Sequence, residues 1–394
     1  MRRYDFTNTQ VASSQTARDI NRGVVLNLIR RRQPISRADL ARASGLQRST
    51  VSLITEQLIR ERWVVNGAVG RLPRGRRPTF LRLNDRIAIL VVDLRPNESR
   101  IGVADINGNF LSEETMPTSN DPRATAEALV ARILHLRKVH SDLVFEGVGI
   151  SLPGRIDEKT KHLIFAPNLG WADFDLKGVI KRATGMRVEL ENAANACALA
   201  EVWYGHTGKI RDFVVVTVSE GIGTGVFVNG HLARGLKGMA GEFGHVSLDP
   251  SGPACTCGSR GCWEVYGSTR AALRYYHEFS HTQEELSFRD LMCLSDAGNE
   301  AAHKALERMF QAIGRGVRMM VTGLAPEEIV VVGELTSQWR QFGSLVEKEV
   351  GLGFLAGRAP RVRPAEGEMA RLRGAVALVL QKHFGPSVGT RPEK

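Results

Sequence analysis

Apolar side chains in the first quarter of the chain recur at steps of three and four residues, the period of a helix with one buried face. The first such run starts at about residue 18, and Pro34 ends the predicted helix. Its apolar positions are Ile20, Val24, Val25, Leu28 and Ile29. The pattern predicts an amphipathic helix whose buried face consists of these side chains.

Two shorter helices are predicted next. Ser36 is a good N-cap with Asp39 three residues later, and the helix that it starts ends at Gly45. The following helix begins at about residue 47 and buries an apolar stripe formed by Val51, Ile54, Leu58 and Ile59. Two short helices joined by a turn that contains glycine predict a helix-turn-helix, whose second helix fits the major groove of DNA.

The start of that second helix carries polar side chains of a size that suits base edges and phosphates. The predicted DNA-binding residues there are Gln47, Arg48, Ser49, Thr50 and Ser52. Further on, the stretch RLPRGRRPTFLRL predicts a wing, which is a β-hairpin with a basic tip. The tip residues that suit the narrow minor groove of A/T-rich DNA are Arg74, Arg76 and Arg77. The alternative is a generic three-helix packing unit.

The charge distribution favours DNA as the partner. The 394 residues carry a net charge of +11, but residues 1–90 alone hold 18 arginines and six acids, which gives +12. The remainder is therefore close to neutral, at −1. Such a concentration of positive charge in one segment indicates a polyanion partner.

From residue 86 apolar runs alternate with helical patterns, which predicts an α/β protein with mixed sheets. Strands are predicted in IAILVVDL, in RIGVADINGNFL with a turn at Asn107–Gly108, in EGVGISLPGRID and, after a long helix at about 297–323, in EEIVVVGEL. The glycines of SEGIGTG lie between two predicted strands, so they indicate a hairpin turn rather than a dinucleotide-binding loop.

The composition bears on location. No stretch approaches twenty apolar residues, so no membrane span is predicted. The first residues, MRRYDFTNTQ, lack the apolar core of a secretory signal. Five cysteines, a small and odd number, do not indicate a secreted disulfide scaffold. We therefore expect a cytoplasmic protein.

The stretch ACTCGSRGCWE places Cys255, Cys257 and Cys262 within eight residues. This spacing has three interpretations, namely a redox-active site, a metal-binding site or chance. No CxxC motif is present, and a Cys-x-Cys pair is too close-set for a comfortable disulfide. Tetrahedral zinc needs four nitrogen or sulfur ligands, and His245 is the nearest fourth. The sequence predicts one structural zinc ion per chain, bound by these four residues. The other two cysteines, which we expect to be ordinary buried residues, are Cys197 and Cys293.

GEFGH followed by CTCGSRGCWE resembles the signature of the ROK family, which comprises repressors, open reading frames and sugar kinases. The resemblance covers residues 86–385 and includes GISLPG, ENAANACALAE and IVVVGEL. It implies an actin-like (ribonuclease-H-type) two-lobe fold with sugar in the cleft between the lobes. The fold class is therefore predicted as α/β, with an N-terminal winged helix-turn-helix joined to a two-lobe ROK domain.

Three domains are expected from these observations. They are the winged helix at 1–85, a smaller lobe at 86–190 with a C-terminal helix at about 370–385, and a larger lobe at 191–369 with the zinc site and a dimer surface.

The resemblance also implies residues that contact a sugar. They are Asn168, Asn192, Glu242, His245 and Glu264. Amide and carboxylate groups suit a ligand rich in hydroxyls, although a lone Asn or Glu is more often a turn or surface residue.

Two departures from the family kinases argue against catalysis, so no catalytic residue is predicted. The kinases carry an Asp as general base where this chain has Ala193, and a methyl group cannot accept a proton. Their glycine-rich phosphate loop is replaced here by residues that follow Asp93 and include Pro96, which has no N–H to donate.

The predicted function is a sugar-responsive repressor of carbohydrate-use genes. Its expected partners are a double-stranded DNA operator, a small-molecule sugar and further copies of the chain, as a homodimer or dimer of dimers. When bound to DNA, such a bacterial protein is expected at the nucleoid. Two alternatives remain open, a residual sugar kinase and a repressor controlled by a protein partner.

Overall fold

The computed structural model describes residues 14–69, 79–205, 210–282, 284–352, 359–365 and 367–384. Its helices are α1 Ser14–Arg32, α2 Arg37–Ser44, α3 Arg48–Arg60, α4 Pro122–Val139, α5 Leu176–Thr184, α6 Ala193–Tyr204, α7 Glu264–Gly267, α8 Thr269–Ser280, α9 Phe288–Asp296, α10 Glu300–Leu324, α11 Trp339–Gly351 and α12 Gly367–Leu380. Its strands are β1 Ile35–Ser36, β2 Val64–Val69, β3 Thr79–Leu83, β4 Ile87–Asp93, β5 Glu98–Asp105, β6 Phe110–Pro117, β7 Val144–Leu152, β8 Arg155–Ile156, β9 Leu163–Ala166, β10 Trp171–Phe174, β11 Val188–Asn192, β12 Phe213–Val218, β13 Ile222–Val228, β14 His231–Leu232, β15 Glu328–Val332 and β16 Arg361–Pro364. Among the described residues, we find no helix that could span a lipid bilayer.

The N-terminal module contains the predicted helix-turn-helix. The Ser36 hydroxyl caps α2 by accepting the Asp39 amide at 3.2 Å. The helix ends at Gly45, whose φ of +72° would strain any residue with a side chain. The stripe predicted for α3 is buried at Val51, Ile54 and Leu58 and half-buried at Ile59.

The buried face of α1 matches the predicted one at Val25, Leu28 and Ile29 and differs from it at Ile20 and Val24. Leu26 and Ile29 are fully buried, whereas Ile20 and Val24 are 42% and 41% exposed. At 3.6 residues per turn, positions 20 and 24 lie almost opposite the buried pair. The apolar pattern of α1 is therefore wider than the face that the module covers.

The wing hairpin begins earlier than predicted, because its first strand, β2, precedes the stretch RLPRGRRPTFLRL. β2 and β3 run antiparallel from the pair Val64–Leu83 to the pair Val69–Thr79. β1 pairs with the other edge of β3, which gives the strand order β1-β3-β2. The predicted tip residues Arg74, Arg76 and Arg77 lie outside the described residues.

The first lobe of the body has a five-stranded sheet in the order β11-β7-β4-β5-β6. β4 is parallel to β7 and antiparallel to β5, so the sheet is mixed, as predicted. Helices α4 and α5 cover one face of the sheet, and α12 covers the other. This double cover explains the unbroken apolar run IAILVV, because every residue of β4 is buried.

The second lobe has a five-stranded sheet in the order β14-β13-β12-β15-β16. β12 and β13 form the predicted antiparallel hairpin, and β15 is parallel to β12. The long predicted helix is α10, which packs with α8, α9 and α11 on one face of the sheet. α6 and α12 pack against the other face.

α6 and α12 lie side by side between the two sheets, in close backbone contact. A Cβ atom added to Gly374 of α12 would lie 2.2 Å from the Ala196 carbonyl oxygen of α6. On the β13 side, a Cβ atom on Gly225 would lie 2.5 Å from the carbonyl oxygen of Ala194. These contacts explain why α6 is rich in alanine. Beyond the body, the apolar core of the N-terminal module continues into α12 and β4.

Candidate functional site

The cysteine cluster is held by a compact loop of the second lobe. Isolated bridges join Ser247 to Cys262 and Ala254 to Arg260, which fold the stretch back on itself. Within the turn, the Gly258 amide donates to the Cys255 carbonyl oxygen at 3.0 Å. Gly258 has a φ of +91°, so this tight turn favours glycine.

The predicted metal ligands are together in this loop. The ligand atoms of His245, Cys255, Cys257 and Cys262 all lie within 4.8 Å of one another. Cys255 Sγ is 3.6 Å from His245 Nδ1, and Cys257 Sγ is 3.6 Å from Cys262 Sγ. Two sulfurs on a tetrahedral ion with bonds of about 2.3 Å are separated by about 3.8 Å. The cluster therefore has the dimensions of a four-ligand metal site.

The two remaining cysteines differ from each other. Cys197 is buried in α6, and burial raises the pKa of its thiol to about 12, as suits an inert core residue. The prediction that Cys293 is buried is wrong, because this residue is exposed on α9. The buried stripe of α9 runs through Phe288, Leu291, Met292 and Ser295, and position 293 falls outside it.

His245 connects the metal cluster with a predicted sugar residue. Its Nδ1 faces Cys255, and its Nε2 lies 4.0 Å from a carboxylate oxygen of Glu242. The Glu242 side chain is half exposed, so one carboxylate oxygen can face a ligand while the other is near the ring. Glu242 therefore lies beside the ring of a predicted metal ligand.

Glu264 and Asn168 meet at the start of β13. Glu264 Oε2 accepts the backbone N–H of Ile222 at 3.0 Å. A Cβ atom on Gly221 would lie 2.4 Å from Glu264 Oε2 and 3.5 Å from Asn168 Nδ2. Glycine at position 221 thus keeps the space between these two polar side chains open.

Asn192 caps α6. Its Oδ1 accepts the Ala194 amide at 2.8 Å, and its Nδ2 donates to the Gly154 carbonyl oxygen at 2.9 Å. Beside it, the buried Glu191 carboxylate pairs with Arg234 at 2.8 Å. Burial alone would raise the pKa of Glu191, but the cations around it hold that pKa below its usual range. This pair was not predicted from the sequence, since nothing in either residue's neighbours signals the contact.

Two cavities of about 1040 and 910 Å³ lie elsewhere. The larger lies beside the C-terminal end of α6, with Tyr204 and Arg373 in its lining. The smaller lies between α8 and α10, next to Ser247. None of the five predicted sugar residues lines either cavity.

The predicted DNA-contacting residues lie at the start of α3. Gln47, Arg48 and Ser49 are exposed, and Thr50 and Ser52 are half-buried. Leu53 is also exposed on this helix, at 69%, and was not predicted from the sequence to lie on this surface. The sequence does contain a signal for this exposure, because Leu53 is an apolar residue that falls outside the buried stripe of α3.

The chain is thus a two-lobed α/β protein with a winged helix-turn-helix and a His/Cys₃ cluster in its second lobe. The ROK family model matches residues 90–382. The chain therefore belongs to the ROK family, as the sequence predicted.

Known relatives and structures agree with this membership. The xylose repressor of Bacillus subtilis strain 168 is 32% identical over 325 residues, which cover 82% of this chain and 84% of the repressor. The structure of a ROK family transcriptional regulator, a homologue of the E. coli Mlc protein, has a TM-score of 0.82 at 23% identity and covers 95% of this chain and 98% of the regulator. A ROK glucokinase from Streptomyces griseus, in complex with glucose and AMPPNP, has a TM-score of 0.69 at 27% identity. The match covers 74% of this chain and 98% of the glucokinase. The predicted fold class is confirmed.

Proposed function

We propose that this chain is a cytoplasmic DNA-binding repressor of carbohydrate-use genes, and that a sugar bound between its lobes weakens its binding to the operator. The observation that carries the proposal is the union of a helix-turn-helix module, within a segment of charge +12, with a ROK body in one chain. The relative named xylose repressor supports it and makes D-xylose the first effector to test.

We also propose that the chain does not phosphorylate sugars. Ala193 is the first residue of α6. The resemblance to the family kinases aligns it with their general base. Asp93 is fully buried, and the Arg95 guanidinium donates to its carboxylate at 2.6 Å. Arg371 approaches the same carboxylate to 3.8 Å. Both guanidinium groups therefore occupy the Asp93 carboxylate, which in a kinase would face the nucleotide phosphate and its metal ion.

The His/Cys₃ cluster is proposed to bind one structural zinc ion per chain. Three thiolates and one imidazole are the ligands of a closed tetrahedral zinc site, which keeps no position open for a substrate. Glu242 and Glu264 are close in sequence to the two ends of the loop. The ion would therefore hold one wall of the proposed sugar cleft in shape.

We further propose that the five residues predicted to contact sugar line this cleft and that a homodimer, or a dimer of dimers, binds DNA. A symmetric dimer reads two half-sites, so the operator is expected to be an imperfect palindrome. We likewise propose three domains, a winged helix at 1–85, a smaller lobe at 86–190 with a C-terminal helix at about 370–385, and a larger lobe at 191–369.

Selection from a pool of random-sequence DNA duplexes tests the DNA half of the proposal. The purified full-length chain is expected to enrich one palindromic motif, whose Kd is then measured by fluorescence anisotropy at fixed salt. D-Xylose and D-glucose are titrated into the complex, and one of them should release the DNA. Failure to enrich any sequence would contradict the proposal.

The alternatives are separated by two further assays. Steady ADP release from ATP with either sugar would contradict the loss of kinase activity, and Ala193→Asp shows whether the general base alone restores it. A ligand that binds only the folded chain must raise its thermal midpoint. Sequence-specific DNA binding with no sugar effect on the midpoint would favour control by a protein partner.

A further inference from the structure

Arg30, in the last turn of α1, reaches from the N-terminal module to the ROK body. Its Nη1 donates a hydrogen bond to the carbonyl oxygen of Trp203, and its guanidinium carbon lies 4.6 Å from the centroid of the Trp203 ring. Trp203 belongs to the last turn of α6. A single side chain thus joins the end of α1 to the end of α6.

Arg30 is a half-buried cation that the end of α6 stabilises. Burial lowers the pKa of Arg30 to about 10, so the group stays charged at neutral pH. Its side-chain partners among the described residues are Trp203 and, at 3.4 Å, the amide oxygen of Asn27, while its Nε has no hydrogen-bond partner there. The C-terminal end of a helix carries unpaired carbonyl groups and partial negative charge. The interaction of Arg30 with the body therefore depends on where the last turn of α6 lies.

The other end of α6 begins at the predicted sugar residue. Asn192 Oδ1 accepts the amides of Ala194 and Asn195 at 2.8 and 3.4 Å, and these bonds fix the first turn. Asn192 Nδ2 donates one of its two N–H groups to the Gly154 carbonyl oxygen at 2.9 Å, which leaves the other N–H for a sugar hydroxyl. A sugar held there draws on the side chain that caps α6, and a shift of that side chain displaces the first turn.

α6 transmits such a displacement because it is short and tightly packed. Its twelve residues span about 18 Å. The first nine of them are buried, with backbone contacts to Gly374 on one side and Gly225 on the other. A close-packed segment moves as a unit, since there is no free volume to absorb a local shift. α6 also contacts strands of both lobes, so a rotation of one lobe against the other moves it too.

We propose that Arg30 is a positioning residue, through which sugar bound at Asn192 changes how the DNA-binding module is held on the body. The inference rests on the proposed function, because it assumes that the chain binds both a sugar and DNA.

A second contact keeps the module in place when Arg30 is altered. Phe384 follows α12, and its ring lies 4.8 Å from that of Trp203 and 6.2 Å from that of Trp63. The Phe384 carbonyl oxygen accepts a hydrogen bond from Asn27 at 2.8 Å. An Arg30 variant is therefore expected to fold with the N-terminal module still docked on the body, and to lose the effect of sugar on DNA binding.

The test measures the operator Kd of the full-length chain with and without sugar, using the selected duplex with D-xylose and D-glucose as probes. The response is the operator Kd with sugar divided by the operator Kd without sugar. Arg30→Leu is expected to reduce this ratio by at least about fivefold, the lower end of allosteric coupling factors. The sugar Kd in the absence of DNA should stay within about twofold of the wild type, because Arg30 does not touch the cleft. Arg30→Lys keeps the charge without the planar guanidinium and should give an intermediate ratio.

Two further variants serve as controls. Arg31→Leu removes the same charge from an exposed neighbour on α1 and should leave the ratio unchanged. Trp203→Phe keeps the backbone carbonyl and weakens the cation–π contact, so it should lower the ratio less than Arg30→Leu does. If Arg30→Leu does not fold, an unchanged ratio in Trp203→Phe overturns the inference.

The remaining outcomes separate the inference from the function that it assumes. Equal weakening of DNA binding with and without sugar in Arg30→Leu would mean a merely structural role and would overturn the inference alone. A wild-type chain that binds DNA and responds to neither sugar would overturn the sugar response, and the inference with it.

Discussion

Replacing Gly316 by alanine tests how the metal loop is anchored to the second lobe. Gly316 lies in α10 against the indole of Trp263, which stands between the cluster residue Cys262 and the predicted sugar residue Glu264. A Cβ atom at position 316 would lie 2.0 Å from Cε2 and 2.3 Å from Nε1 of that indole. Trp263 is fully buried, and its Nε1 donates to the Ala312 carbonyl oxygen at 2.9 Å.

The magnitude follows from these contacts. The indole would have to move by about 1.5 Å to reach ordinary carbon–carbon distance. Overpacking of this kind costs about 1–3 kcal/mol, and loss of the hydrogen bond to Ala312 costs about 1 kcal/mol more. The better helix propensity of alanine offsets about 1 kcal/mol. We expect Gly316→Ala to destabilise the chain by about 1–3 kcal/mol and to displace the loop that contains Cys262.

Gly323→Ala is the matched control, because it adds the same methyl group to the same helix where nothing lies within 4 Å. It should stabilise the chain by about 0.5–1 kcal/mol. Urea unfolding of both variants measures the difference, and the rate of zinc release to a chromogenic chelator measures the disturbance of the cluster. Equal stability and equal release rates in the two variants would refute the anchoring role of Trp263.

The remaining predictions concern metal binding, DNA binding and the loss of stability at acidic pH. Cys257→Ser should lower the zinc content from about one ion per chain, as measured by atomic emission; an undiminished content would exclude this ligand. Arg48→Ala should weaken operator binding and relax specificity at one base pair, whereas Arg76→Ala should weaken binding mainly at A/T flanks; unchanged anisotropy curves for both would show that DNA binds another surface. The pKa of Glu191 is lowered in the folded chain, mainly by Arg234, so this carboxylate stabilises the fold above its ordinary pKa of 4.5, and that stabilisation is lost as the pH falls through the lowered value. Glu191→Gln should therefore flatten the fall of stability with acid, and an unchanged slope would contradict this.

The elements with local signals were predictable from the sequence. The cap at Ser36 and the glycine at position 45 mark α2 without reference to any other part of the chain. The His/Cys₃ cluster was predictable for the same reason, since its four residues fall within eighteen positions and glycines close the turn. Burial of β4 on both faces was readable as an unbroken apolar run.

Features that depend on distant contacts were not predictable. The exposure of Ile20 and Val24 follows from which face of α1 the module covers, and the apolar period alone does not show it. Arg95 donates to the Asp93 carboxylate because the turn after β4 brings the two side chains together. The sequence showed only that the phosphate-loop glycines are missing. The contact of Arg30 with Trp203 joins residues 173 positions apart, so no local pattern marks either partner.

The double use of Asn192 constrains how such a protein changes its effector during evolution. This side chain caps α6 and is predicted to touch the sugar, so a substitution that alters recognition there also removes a helix cap worth about 1 kcal/mol. Glu242 caps no helix with its side chain and is half exposed, so its substitution removes no helix cap. New sugar specificities are therefore expected to arise by substitution at position 242 while asparagine is retained at position 192.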